Sequence, residues 1–168
     1  MAITWAKLLI LIGILSFVPT LVQAKDKPNV DLKLKVEKEM TVTNAEGKSR
    51  MEWQEVKSFG PGDVLRYTIT YSNTGSAEVR DAVIIDPIPA GTAYLPGSVE
   101  GANAEITFSL DGKTFQSPPL LKYKVKATGT SEQEFSASPE MYTHIRWKIV
   151  KPVAKGGHGT VRFKVTAK

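Results

Sequence analysis

From Val30 to Glu37 the chain alternates without a break: Val30, Leu32, Leu34 and Val36 are separated by Asp31, Lys33, Lys35 and Glu37. A period of two puts one set on each face of a β-strand. The same rhythm returns in Leu65, Tyr67, Ile69 and Tyr71, in Leu121, Tyr123, Val125 and Ala127, and in the closing segments Ile145, Trp147, Ile149 and Val161, Phe163, Val165. Met40 to Thr43 and Met51 to Val56 flank the turn-rich Asn44-Ala45-Glu46-Gly47, which predicts a hairpin. Ile106 to Leu110 and Thr114 to Gln116 flank Asp111-Gly112 and predict another, because Asp and Gly tolerate the positive φ of tight turns. Val79 to Asp86 is a denser apolar run and predicts a strand covered on both faces. Pro87 and Pro89 stop it, since proline has no N–H for a ladder. Thr92 to Leu95 and Ser98 to Val99 are short pieces split by Pro96-Gly97, and Thr128 to Met141, polar and rich in Ser and Glu, reads as a long loop.

Beyond residue 24 no segment keeps a helical apolar period for three turns, and turn signals recur between short strands. That combination predicts an all-β fold, an antiparallel β-sandwich. Its core is expected to hold Leu32, Leu34, Leu65, Tyr67, Ile69, Ile84, Phe108, Tyr123, Ile145, Trp147, Phe163 and Val165.

The first residues follow a different pattern. Lys7 precedes the apolar stretch Leu8 to Val18, Pro19 breaks it, and Val22-Gln23-Ala24 presents modest side chains at the positions a signal peptidase reads. This is the order of a secretory signal helix, with cleavage expected between Ala24 and Lys25. The stretch falls short of the roughly 20 residues that cross a bilayer, so no transmembrane anchor is expected after cleavage. The chain divides into a signal peptide, 1–24, and a single domain, 25–168, of a length close to the common range of about 100 to 150 residues. Cleavage removes one basic residue and no acid from a chain of net charge +5, leaving a mildly basic domain.

Cysteine is absent, which rules out disulfide staples and a lipidated N-terminal cysteine. Asn29, Asn44, Asn73 and Asn103 all lack Ser or Thr two positions on, so none is a glycosylation acceptor. An exported, disulfide-free domain fits a bacterial envelope, in the periplasm or at the cell surface.

Three phrases carry a family resemblance: Pro61-Gly62-Asp63-Val64 leading into Tyr67-Thr68-Ile69-Thr70-Tyr71-Ser72-Asn73-Thr74-Gly75, then Asp86-Pro87-Ile88-Pro89-Ala90-Gly91-Thr92, then Tyr94-Leu95-Pro96-Gly97-Ser98. Together they resemble the conserved repeat domain of bacterial and archaeal surface proteins, number eleven of the domain-of-unknown-function series. The likeness is strongest over 57–101 and returns over 142–165. It implies an immunoglobulin-like sandwich in an envelope or extracellular protein and no particular activity. The chain departs from the family in holding one copy of the unit and none of the cysteines of the chlamydial members. The phrases also have local explanations: Pro61-Gly62 turns the chain, and Asp63 can accept hydrogen bonds from the turn backbone.

No catalytic set, metal site or cofactor motif is visible. His144 and His158 have no second histidine or cysteine to complete a zinc ligand set, and Asp81, Asp86, Glu100 and Asp111 lack the spacing of a calcium loop. Gly156-Gly157-His158-Gly159 is not followed by a helix start that would hold phosphate, so neither nucleotide nor nucleic acid is an expected partner. Gly97-Ser98-Val99-Glu100-Gly101 has the wrong spacing for a nucleophile elbow. Ser109 to Phe115 looks like a shortened Asp-box turn, a structural device.

One pattern goes beyond fold. The outward positions of the alternating strands are basic: Lys33 and Lys35, Lys122, Lys124 and Lys126, Arg146 and Lys148, Arg162 and Lys164. If the last two strands pair as a hairpin, their four cations share one face, an unfavourable ladder unless something offsets it. Lysines on strand faces also suppress aggregation. The sharper expectation is an anion-binding face made by Lys122, Lys124, Lys126, Arg146, Lys148, Arg162 and Lys164. Such a face would contact an anionic polysaccharide or lipid headgroup, in a non-enzymatic envelope protein with a structural, adhesive or protein-interaction role. The alternative is a polysaccharide-binding module, for which Trp53 and Tyr94 are the candidate exposed aromatics.

Overall fold

The computed structural model describes residue 27 and residues 29–56, 58–118, 122–125 and 133–168. The expected cleavage site at Ala24 and Lys25 lies outside the described residues, as does Lys126. Alternation becomes strands in chain order: β1 Val30–Thr43, β2 Ser49–Glu55, β3 Val64–Asn73, β4 Val83–Pro87, β5 Thr92–Tyr94, β6 Glu100–Gly101 and β7 Ala104–Ser109. β8 Phe115–Gln116, β9 Lys122–Val125, β10 Gln133–Ser136, β11 His144–Ile149 and β12 His158–Ala167 complete the set, with a 3-10 turn at Pro139–Met141.

All strand pairs are antiparallel. A six-stranded sheet runs β2-β1-β3-β12-β5, with β6 also on β12; a four-stranded sheet runs β4-β11-β7-β8; β9 and β10 form a separate ribbon. The two larger sheets pack face to face through one apolar core. Trp147, Ile145 and Phe108 of the smaller sheet meet Leu65, Val161, Phe163 and Val165 of the larger, all essentially excluded from water. The Trp147 and Phe163 rings lie 6.0 Å apart across the interface. Burying a side chain of this size is worth about 1.5–3 kcal/mol, so these seven residues hold the sheets together. At one end Tyr94, Phe108 and Tyr142 form an aromatic trio with centroids 4.8 to 5.9 Å apart.

Polar groups complete the frame. Asn73 is 1 % exposed, and its Nδ2 donates to the carbonyls of Ala77 (2.8 Å) and Val153 (2.9 Å). It thereby ties the end of β3 to the connection between β11 and β12. Asp63 accepts from the Gly60 N–H at 2.8 Å and pairs with Lys38, so the Pro61-Gly62 turn is fixed by its own acid, as expected.

Several expectations are corrected by tertiary arrangement. Leu32 and Leu34 point toward the smaller sheet but remain 53 % and 57 % exposed, because β1 projects past that sheet's edge. Only Val83 to Asp86 of the dense apolar run is strand, which ends on Pro87 instead of before it, and it alternates instead of being covered on both faces: Ile84 is buried, while Val83 and Ile85 face out. Part of the expected loop Thr128 to Met141 is β10 and the 3-10 turn. Tyr123 is half-buried and outside the main core, stacked on Phe135 of the ribbon at 5.6 Å. The closing strands β11 and β12 are not a hairpin: they lie in different sheets.

Candidate functional site

That last difference divides the expected basic face. On the outer side of the smaller sheet, Arg146 donates from Nε to Thr107 Oγ1 at 3.0 Å and lies 4.5 Å over the Phe115 ring, and Lys148 is exposed opposite Val83 and Glu105. Lys122 and Lys124 belong to the ribbon, where Lys122 pairs with Glu134 and Lys124 stands directly opposite the same residue. Its hydrogen bond from Lys122 holds the Glu134 carboxyl below its ordinary pKa. Arg162 and Lys164 lie on the outer side of the larger sheet. The structure therefore brings Arg162 and Lys164 together and separates them from Lys122, Lys124, Arg146 and Lys148.

What joins them comes from strands far away in sequence. Directly paired residues point to the same side of a sheet, so the register across β1, β3 and β12 spells out the outer face. Its successive rows are Asp31, Ser72 and His158; Lys33, Thr70 and Thr160; Lys35, Thr68 and Arg162; and Glu37, Arg66 and Lys164. Five cations and four small hydroxyl side chains thus occupy three adjacent strands. Arg66 is the member sequence reasoning missed, although it alternates with Tyr67 in the same phase as the others. Glu100 of β6 pairs with Arg162 at 3.3 Å.

The last row explains how neighbouring cations coexist. Arg66 and Lys164 are direct cross-strand partners, an unfavourable like-charge pair. Glu37, only 6 % exposed, sits beside them and receives two hydrogen bonds from Arg66, at 2.7 and 3.0 Å, and an ion pair from Lys35 at 2.9 Å. Burial pushes the Glu37 carboxyl up, yet the bonds from Lys35 and Arg66 outweigh it and hold the group below its ordinary value. Trp53 reaches over from β2, with the Arg66 guanidinium 4.4 Å and the Lys164 ammonium 4.9 Å from its ring centroid. A ring face beneath two cations disperses their repulsion.

The residues considered for other chemistry have structural duties. Ser98 Oγ donates to the Leu95 carbonyl at 2.6 Å and accepts from the Lys164 N–H at 2.9 Å. His144 Nδ1 bonds Thr143 Oγ1 at 2.9 Å, and its ring lies against Gly112; His158 opens β12 and is exposed. Asp111 is held at a pKa of about 2 by the backbone N–H groups of Thr114 and Lys113 and by Ser109. Among the described residues no group of three or more His, Asp or Glu is placed to share a metal ion. Of the two candidate aromatic platforms, Tyr94 is 5 % exposed inside the aromatic trio, and Trp53 is half-buried with cations over its ring. Among the described residues, the large aromatics that stand out to solvent are Phe59 and Phe135.

No family model, curated protein or solved structure matches this chain. The resemblance to the conserved repeat domain therefore rests on the quoted phrases alone.

Proposed function

We propose that the chain is an exported, non-enzymatic component of a bacterial envelope, an immunoglobulin-like sandwich of the conserved repeat kind. Its outer large-sheet face contacts an anionic polymer such as a phosphorylated or uronic polysaccharide. Export is read from residues 1–24 and the family from the phrases between Pro61 and Ser98. The observation that carries the binding reading is the flat array of Lys33, Lys35, Arg66, Arg162 and Lys164 interleaved with Thr68, Thr70 and Thr160. Glu37 is buried below this array, so its charge organises the cations without standing out toward a ligand. Threonine hydroxyls between cations offer hydrogen bonds to the oxygens of a sulfate, phosphate or carboxylate group.

The test is binding of purified lipopolysaccharide or polyuronate to the domain and to a variant with Arg162→Glu and Lys164→Glu. Affinity should fall about tenfold or more as ionic strength rises from about 0.01 to about 0.15 M, and the double variant should lose it. Arg146→Glu with Lys148→Glu, on the opposite side of the sandwich, should leave it unchanged. Binding that ignores salt, or equal losses in both variants, would sink the reading.

A further inference from the structure

On one side of the sandwich both large sheets end, among the described residues, in an unpaired edge. β2 accompanies β1 only from Glu37 to Thr43, so Val30–Val36 has β3 on one side and, among the described residues, no strand on the other. β4 closes the smaller sheet and, among the described residues, has β11 alone beside it. Leu32 and Leu34, on the inner side of β1, stay exposed, and among the described residues no strand covers them. Between the two edges lies an open groove of about 200 Å³, walled by Leu32, Tyr71, Val79, Val83 and Ile84.

The backbone of β4 is arranged to receive a strand. The Ala82 carbonyl accepts from Ile149 and the Ile88 N–H donates to Thr143, both toward β11. Direction alternates along an antiparallel ladder, so the N–H and C=O groups of Val83 and Ile85 point to the free edge. An exposed edge of this kind is a template for an added strand: Ile84 offers an apolar inward position, while inward Asp86 and the terminal Pro87 restrict what can be added at that end. Asp86 lies one step on, opposite fully buried Ile145, so its carboxylate is turned to the inner side. Burial pushes that carboxyl up, nearby His144 only partly offsets this, and among the described residues none of the ion pairs reaches Asp86.

We propose that this groove is a strand-acceptor site for an extended segment of another protein, which pairs with the free edge of β4 and covers Leu32 and Leu34. Its inward positions fall beside Ala82, Ile84 and Asp86, so the segment carries two apolar residues and a terminal Lys or Arg at alternate positions. The basic residue supplies the charge that Asp86 lacks. A second copy does not fit: its own β1 would have to enter the space beneath β4 that β1 already occupies. Pairing two copies through β1 would instead oppose Lys33 and Lys35 across a ladder and leave the leucines bare. Nor does the rest of the chain offer the pattern, since Ala127 to Glu132 is polar and Leu8 to Val18 is apolar without alternation or a cation. The site is independent of the basic face, which lies on the other side of the larger sheet.

The experiment uses residues 25–168, which include every element described, and a synthetic peptide alternating Thr with Val, Val and Arg. Amide exchange read by NMR should slow at Val83 and Ile85 when peptide is added. The same peptide N-methylated on its β4-facing amides should not bind. Leu34→Asp, at an exposed position, should abolish binding with the fold intact. Asp86→Asn should weaken the Arg peptide about tenfold and leave a Leu-for-Arg peptide unaffected. The proposal is overturned if peptide leaves Val83 and Ile85 unprotected at millimolar concentration or if Leu34→Asp binds normally. Protection of these amides before peptide is added, or sedimentation of the free domain as a dimer through this edge, would overturn it too.

Discussion

Glu37 shows how much one side chain can organise. It is the fourth polar residue in a regular alternation, formally equivalent to Asp31, Lys33 and Lys35, yet it alone of the four is buried. What sets it apart is the arrival of Arg66 from β3, whose guanidinium also lies over the Trp53 ring of β2. Glu37→Gln removes a charged acceptor from beneath two cations and should cost about 1.5–3 kcal/mol, measured by urea unfolding near neutral pH. Because the native carboxyl titrates below its ordinary 4.5, its stabilisation is present above that pH and fades as pH falls. The gap between variant and parent should therefore narrow below about pH 4.5. The alternation carries no sign of this role, since Arg66, which makes both hydrogen bonds, lies 29 positions away.

At the scale of elements, local rules were readable and non-local ones were not. The Asp111-Gly112 turn is closed by Asp111 Oδ1, which accepts from the N–H groups of Lys113 and Thr114 at 2.8 Å and from Ser109 Oγ at 2.9 Å. All its partners lie within three residues, so the hairpin of β7 and β8 was visible in the chain. Asp111→Ala should lower the melting temperature and speed amide exchange at Lys113 and Thr114. Its native pKa of about 2 against an ordinary 3.8 means that the effect is full above pH 3.8 and gone once pH has fallen through about 2. The β1–β2 hairpin is equally local. By contrast, β11 and β12 have the same alternation and a short connection, yet they part into separate sheets. Strand periodicity states which residues share a face; it says nothing about which sheet that face belongs to. β10 was missed for a related reason: Gln133–Ser136 carries little apolar signal and owes its form to pairing with β9.

For the whole molecule, the sheets share one core, so they should unfold together. Trp147→Ala, which empties the centre between them, should cost about 3–5 kcal/mol. The parent should show a single transition in which far-ultraviolet dichroism and tryptophan fluorescence coincide. Amides of the β9–β10 ribbon, held by Tyr123 and Phe135 outside that core, should exchange ahead of it.

The chain by itself determined the all-β class, most strands, the local turns and the central core residues, because period, proline and turn chemistry act over a few positions. Tertiary structure decided the fate of the charged and apolar outward positions. It separated Arg146 and Lys148 from Arg162 and Lys164, recruited Arg66 and buried Glu37. It also left Leu32 and Leu34 uncovered where one sheet overhangs the other. Those outcomes depend on which strands become neighbours, a choice set by packing energy summed over the whole core and carried by no single stretch of sequence.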